Sequence, residues 1–168
     1  MTLHWLMVLV FLGLLAGCAK PADLPDITVS AAAPGEFASF RADLATRFPP
    51  EQLRDFDTAT QELQLDAMNR NVATAAGREL NMLAVANGKT VHTVVRLGWQ
   101  ARKARFLREI AEISRMIDHD GQQAARTAAA GTPESVTRRL GSEKEVLAKL
   151  QANLAETEAR LAVLSRPK

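Results

Sequence analysis

Residues 90–117, with the sequence TVHTVVRLGWQARKARFLREIAEISRMI, decide the fold of this chain. Their apolar side chains recur at intervals of three, four and seven residues, which places them along one face of an α-helix. Thr90 suits the N-cap of this helix, and Asn87-Gly88 suits the end of the helix before it. The stretch therefore predicts an all-α protein built around one long amphipathic helix. The apolar positions are Val95, Trp99, Phe106, Ile110, Ile113 and Ile117.

A second long helix is predicted to begin at Thr132-Pro133-Glu134, after a fraying of the first helix at residues 118–121. Leucine occupies every seventh position of this second helix, and two further leucines lie in the same seam. Glu143 and Thr157 interrupt the seam. Both a helical hairpin within one chain and a coiled coil between chains fit this pattern, and the hairpin needs fewer assumptions. The predicted seam consists of Leu140, Leu147, Leu150, Leu154, Leu161 and Leu164.

Shorter helices are predicted upstream, over residues 35–87, and form a small helical head. Pro49-Pro50 separates the first two of them, because proline removes a backbone donor and restricts the residue before it. Residues 69–71 favour a second break. The predicted organisation is a signal peptide over 1–17, a flexible tether over 18–34, the head over 35–87 and a long helical hairpin with coiled-coil character over 88–166.

The first residues of the chain resemble an export signal. Residues 2–17 carry no charged side chain, and the apolar run 6–15 is shorter than the roughly 20 residues that span a bilayer. Leu15-Ala16-Gly17-Cys18 resembles the lipobox of bacterial lipoproteins. That resemblance implies a diacylglycerol on the Cys18 sulfur and a fatty acyl chain such as palmitate on its amine. A retained membrane anchor over residues 3–16 is the alternative, because no Lys or Arg precedes the apolar run.

The resemblance also implies a compartment. Ala19, and not Asp, follows Cys18, which by the same likeness favours the outer membrane and a domain facing the periplasm; the inner membrane stays open. Cys18 is the only cysteine, so its acylation would leave no thiol for a disulfide. The formal net charge of +2 argues against nucleic acid as a partner. Pro21, Pro25 and Pro34 are typical of a linker between lipid and domain.

Two further segments resemble a family of small bacterial lipoproteins whose function is unknown. The first is residues 40–63, which contain FPPEQLRDFDTATQEL (48–63). The second is NGKTVHTVV (87–95), followed by the charged helix ARKARFLREIAEI (101–113). The chain departs from that family by an insert over 66–85 and by the basic character of residues 96–108. The resemblance supplies no activity and no functional residues.

The sequence contains only weak motifs for catalysis and metal binding. Gly88-Lys89-Thr90 lacks the earlier glycine of a phosphate-binding loop, since position 83 is Leu. Residues 118–120 could offer metal ligands, but neighbours on a helix point in different directions. No nucleophile, base and orienting residue stand out as a triad. We therefore expect no catalytic residue, metal or cofactor, and no enzyme activity.

Positive charge is the one charge pattern above background. No acidic residue occurs between Leu80 and Arg108, and the basic residues there are predicted to spread around the long helix. Such a collar suits anionic lipid headgroups or an acidic partner. The alternative is a solvated helix paired with acids elsewhere, such as Glu143 and Glu145. The collar residues are Arg96, Arg102, Lys103, Arg105 and Arg108.

These features predict a membrane-anchored, non-enzymatic interaction or structural module that binds an unknown envelope protein or itself. The alternative is a helical carrier or chaperone of the pilotin type, which binds a lipid or an apolar segment between its helices. An apolar stripe left uncovered in the monomer would favour the first function, and an open apolar cavity the second.

Overall fold

The computed structural model describes residues 23–166, and this part of the chain is all-helical, as predicted. Two short 3-10 helices lie at Leu24–Asp26 and Ala128–Ala130. None of the helices in the described part is long and apolar enough to cross a membrane. The five α-helices are α1 (Pro34–Arg47), α2 (Pro50–Asn69), α3 (Ala75–Ala86), α4 (Val91–Thr127) and α5 (Glu134–Leu164).

Local sequence signals explain most of the helix ends. Pro50 occupies the first turn of α2, where its missing N–H costs no helical hydrogen bond. Asn71 adopts a left-handed φ of 65° between α2 and α3, and Gly88 one of 74° after α3. The Thr90 hydroxyl accepts a hydrogen bond from the Thr93 N–H at 3.2 Å and caps α4. The predicted breaks at residues 49–50, 69–71 and 87–88 are confirmed.

Helices α4 and α5 form an antiparallel hairpin. Lys103 pairs with Glu158 near its base, and Asp120 pairs with Arg139 near its turn. The fraying predicted at residues 118–121 is wrong, because the buried Asp120 ties this part of α4 to α5. At about 1.5 Å per residue, α4 extends over roughly 55 Å.

The head packs on the base of the hairpin, and the two share one hydrophobic core. Helix α2 crosses α4 where Gly98 meets Ala59: a Cβ on Gly98 would lie 2.3 Å from the Ala59 Cα. Head and hairpin, predicted as separate regions, are therefore one packed unit at this end. The buried core includes Leu44, Leu53, Phe56, Met82, Leu83, Val91, Val94 and Trp99.

The described part of the expected tether is folded, so the tether prediction needs correction from residue 23 onward. The Val29 N–H donates to the Lys89 carbonyl at 2.8 Å, and the Gly88 N–H donates to the Val29 carbonyl at 2.9 Å. Thr28 forms an isolated bridge with Thr90. Val29 is completely buried because it closes the core beneath the α3–α4 turn. The predicted signal peptide and Cys18 lie outside the described residues.

Candidate functional site

One face of α5 packs along α4 with the spacing of a coiled coil. Its buried and half-buried positions alternate by four and three residues from Val136 to Leu164. The six predicted seam leucines all lie on this face and are all half-buried. Within one chain, the seam therefore closes the hairpin. The face consists of Val136, Leu140, Glu143, Leu147, Leu150, Leu154, Thr157, Leu161 and Leu164.

The two polar interruptions of the seam are more buried than its leucines. Glu143 is 6% exposed and Thr157 is fully buried. The Thr157 hydroxyl has a hydrogen-bond partner, because it donates to the carbonyl of Asn153, in the same helix, at 2.8 Å. Glu143 keeps a buried Oε2 without a hydrogen-bond partner in the described part of the chain. The leucine pattern predicted the direction of the face but not that these two residues lie at its centre.

Beyond the base, the hairpin is a layer of only two helices. The hydrophobic core takes its hairpin members from α4 no further than Ala101 and from α5 only at Leu161 and Leu164, within the described residues. We call residues 106–154 the distal hairpin. Two helices alone cannot cover their apolar stripes, which explains why the seam leucines of the distal hairpin stay half-exposed.

Three large apolar side chains of the distal hairpin face solvent. Leu107 is 48% exposed, Met116 is 44% exposed and Val146 is 42% exposed. Leu107 and Met116 are nine residues apart, so at about 100° per residue they lie on opposite sides of α4. Both flanks of the distal hairpin therefore present apolar surface, in continuity with the half-buried seam.

The basic collar is largely engaged inside the molecule, which corrects the expectation of a free positive band. Arg105 donates to both carboxylate oxygens of Glu62, at 2.7 and 3.0 Å, and to Glu109 at 2.9 Å. The hydrogen bonds to Glu62 raise the pKa of Arg105. Lys103 pairs with Glu158 at 2.7 Å.

Of the remaining collar residues, Arg102 is half-buried, whereas Arg96 and Arg108 lie on the surface of the molecule. The Arg102 guanidinium lies 5.0 Å from the Trp99 ring centroid and 3.9 Å from a Glu62 oxygen. Arg96 and Arg108 are exposed and form no ion pair with the described residues. The acids that neutralise the collar are therefore Glu62 of α2 and Glu109 and Glu158 of the hairpin, in place of the expected Glu143 and Glu145.

An open groove lies at the base of the hairpin, beside the first described residues. Its volume is about 480 Å³. Charged side chains, among them Glu51, Asp55 and Arg160, stand at its edges, so the groove is amphipathic. Its apolar lining comes from Leu24, Phe48, Phe56, Val91, Val95 and Leu164.

Residues 118–120 act structurally in this fold. The hydrogen bond from the Arg139 guanidinium holds the pKa of Asp120 below its usual range, and the contact with His119 lowers it further to a smaller extent. The His119 Nδ1 lies 3.1 Å from an Asp120 oxygen. Across residues 23–166, no group of three or more His, Cys, Asp or Glu side chains is placed to hold a metal ion. Asp120 serves as a clamp between α4 and α5.

Comparisons with protein-family models, curated proteins and solved structures found no match to this chain. The resemblance to small lipoproteins therefore stays a prediction from the sequence.

Proposed function

We propose that this protein is a lipid-anchored, non-enzymatic interaction module of the bacterial envelope, and that its distal hairpin carries the partner-binding surface. The observation that supports this most is the apolar surface left uncovered on the two flanks of the distal hairpin, at Leu107, Met116 and Val146. Exposed apolar patches continuous with a packed seam are typical of surfaces that bind protein. A third or fourth helix laid on this layer would bury it, as in helical bundles.

The proposed anchor would bring the base of the hairpin to the membrane. Cys18 and Asp23 are five residues apart, a separation of at most about 18 Å. The base is tied to this end of the chain, since the Val91 N–H donates to the Ile27 carbonyl at 2.8 Å. The distal hairpin would then reach tens of ångströms from the bilayer, within range of other envelope proteins.

Site-specific photocrosslinking in living cells tests this function. A photoreactive amino acid at Val146, and at Leu107 or Met116 according to which flank is bound, should give the same discrete adduct, whose mass identifies a partner or a second copy of the chain. Leu80 of the head is the matched control, because it is equally exposed and apolar at 52%. Equal adducts from Leu80 and the three hairpin positions, or none from any, would reject the proposal.

The groove at the base favours a second candidate, a carrier of an apolar segment or acyl chain. Its apolar floor and its volume of about 480 Å³ suit part of such a ligand. A fluorescent fatty acid should then bind the full chain, and Val95→Phe should weaken binding by filling the groove. Val146→Phe in the distal hairpin is the control. Binding that responds equally to both substitutions, or no binding, would remove this candidate.

A further inference from the structure

A second groove lies between α2 and α5, with Trp99 of α4 on its floor. It has a volume of about 440 Å³, and Arg54 and Thr58 line it from the α2 side. Arg102 and Arg160 approach from the two hairpin helices. We call it the Trp99 groove. It is distinct from the distal hairpin, and the proposed partner surface does not use it.

Three residues that line the Trp99 groove each carry a buried N–H donor that has no hydrogen-bond partner within residues 23–166. These donors are the Trp99 Nε1, the Arg102 Nε and the Arg160 Nε. Trp99 is only 7% exposed. Buried N–H groups are almost always paired, and these three cannot pair with one another because all are donors. The three donors therefore need an acceptor that the described residues do not offer them.

The charges around the groove also favour an anion. Three guanidinium groups line it, against the carboxylates of Asp55 and Glu156. Asp55 is already bound by the Arg160 Nη2, which leaves the Arg160 Nε directed elsewhere. The Glu62 oxygen nearest Arg102 is 3.9 Å away and makes no hydrogen bond with its Nε. Guanidinium groups bind carboxylate and phosphate through paired N–H donors, so unused Nε–H groups indicate an oxyanion.

We propose that the Trp99 groove binds a phosphate group, either as a free ion or on a lipid headgroup, whose oxygens accept from Trp99, Arg102 and Arg160. Phosphate offers several acceptor oxygens at once, which matches three donors that line one groove. The donor atoms lie just below the surface of the groove. The Arg102 and Arg160 side chains are 23% and 40% exposed, so a rotation of each brings its Nε–H to the ligand.

Nuclear magnetic resonance of the indole N–H groups tests the site. The full chain, kept unprocessed so that it retains residues 1–17 and labelled with ¹⁵N in a nonionic detergent, has two indole signals, from Trp5 and Trp99, which Trp99→Phe assigns. At constant ionic strength, inorganic phosphate should move the Trp99 signal saturably and leave Trp5 in place. Arg54→Gln, at the exposed rim, and Arg102→Lys should each raise the apparent Kd by about tenfold. Arg108→Gln, exposed on the same helix but outside the groove, should not change it.

A phospholipid probe distinguishes the two sources of phosphate. If the ligand is a headgroup, phosphatidylglycerol added as mixed micelles with the same detergent should move the Trp99 signal, and inorganic phosphate should act only weakly. A saturable shift with either probe, whose apparent Kd rises by about tenfold in Arg54→Gln, supports the proposal. No shift with both probes would overturn it, as would a shift that Arg54→Gln and Arg108→Gln change equally, because that result reflects surface charge alone.

Discussion

Arg139 of α5 donates its Nε–H to a carboxylate oxygen of Asp120 on α4, and the Asp120 side chain is 6% exposed. The pair joins the hairpin near its turn, where the head no longer supports it. His119 Nδ1 and the seam carboxylate Glu143 lie beside the pair. The distal hairpin thus owes part of its closure to one buried carboxylate.

The Asp120–Arg139 pair predicts a loss of stability in acid. The pKa of Asp120 is lowered from its ordinary value of 3.8, so the folded state gains stability above that value. That stability is lost as the pH falls through the lowered pKa, because both states then bind the proton. Asp120→Asn should lower the Tm at neutral pH and should make it fall less steeply below about pH 4. Asp118→Asn, an exposed neighbour, is the control; equal pH profiles for the two variants would contradict the clamp.

The approach of α2 to α4 predicts opposite effects of alanine at two glycines of one helix. At Gly98 a Cβ would lie 2.3 Å from the Ala59 Cα, so Gly98→Ala should cost about 1–3 kcal/mol through overpacking. No atom lies within 4 Å of the corresponding Cβ at Gly121, so Gly121→Ala should stabilise α4 by up to about 1 kcal/mol. Urea denaturation measures both; a Gly98→Ala variant as stable as Gly121→Ala would show that the helices are further apart.

The buried Oε2 of Glu143, which has no hydrogen-bond partner within residues 23–166, predicts a stabilising substitution in the seam. A buried carboxylate with an unpartnered oxygen is costly, and a leucine of similar size continues the seam. Glu143→Leu should raise the Tm by a few degrees, equivalent to about 1 kcal/mol. Glu145→Leu, exposed on the outer side of α5, should leave the Tm unchanged. A lower Tm for Glu143→Leu would contradict this prediction. It would show that the attraction between the Glu143 carboxylate and Arg139 stabilises the fold by more than the burial of the carboxylate destabilises it.

The sequence predicted the helices better than their contacts. The periodicity of residues 90–117 and the heptad leucines located α4, α5 and their facing surfaces, because these signals are local. The burial of Val29 depends on one hydrogen bond to Lys89 and one from Gly88, about sixty residues away, which no local pattern reveals. The pairing of Arg105 with Glu62 and the presence of three donors along the Trp99 groove likewise arise only when distant helices pack.

The proposed anchor predicts acylation at one residue. Cells given a clickable fatty acid should label the wild-type chain, since Leu15-Ala16-Gly17-Cys18 resembles a lipobox. Cys18→Ser should be unlabelled and should leave the membrane fraction, because two or more acyl chains are what anchor stably. Ser30→Ala downstream is the control. Equal labelling of wild type and Cys18→Ser would exclude lipidation at this site.

Binding of a partner by the exposed apolar surface of the distal hairpin is tested best by a substitution in that surface. The double variant Leu107→Ser/Met116→Ser removes apolar side chains that are nearly half-exposed, so the Tm of the purified chain should change little. With a photocrosslinker at Val146, the account predicts that the adduct of the wild-type chain disappears in the double variant. An adduct of unchanged intensity, in a chain of unchanged Tm, would contradict the account.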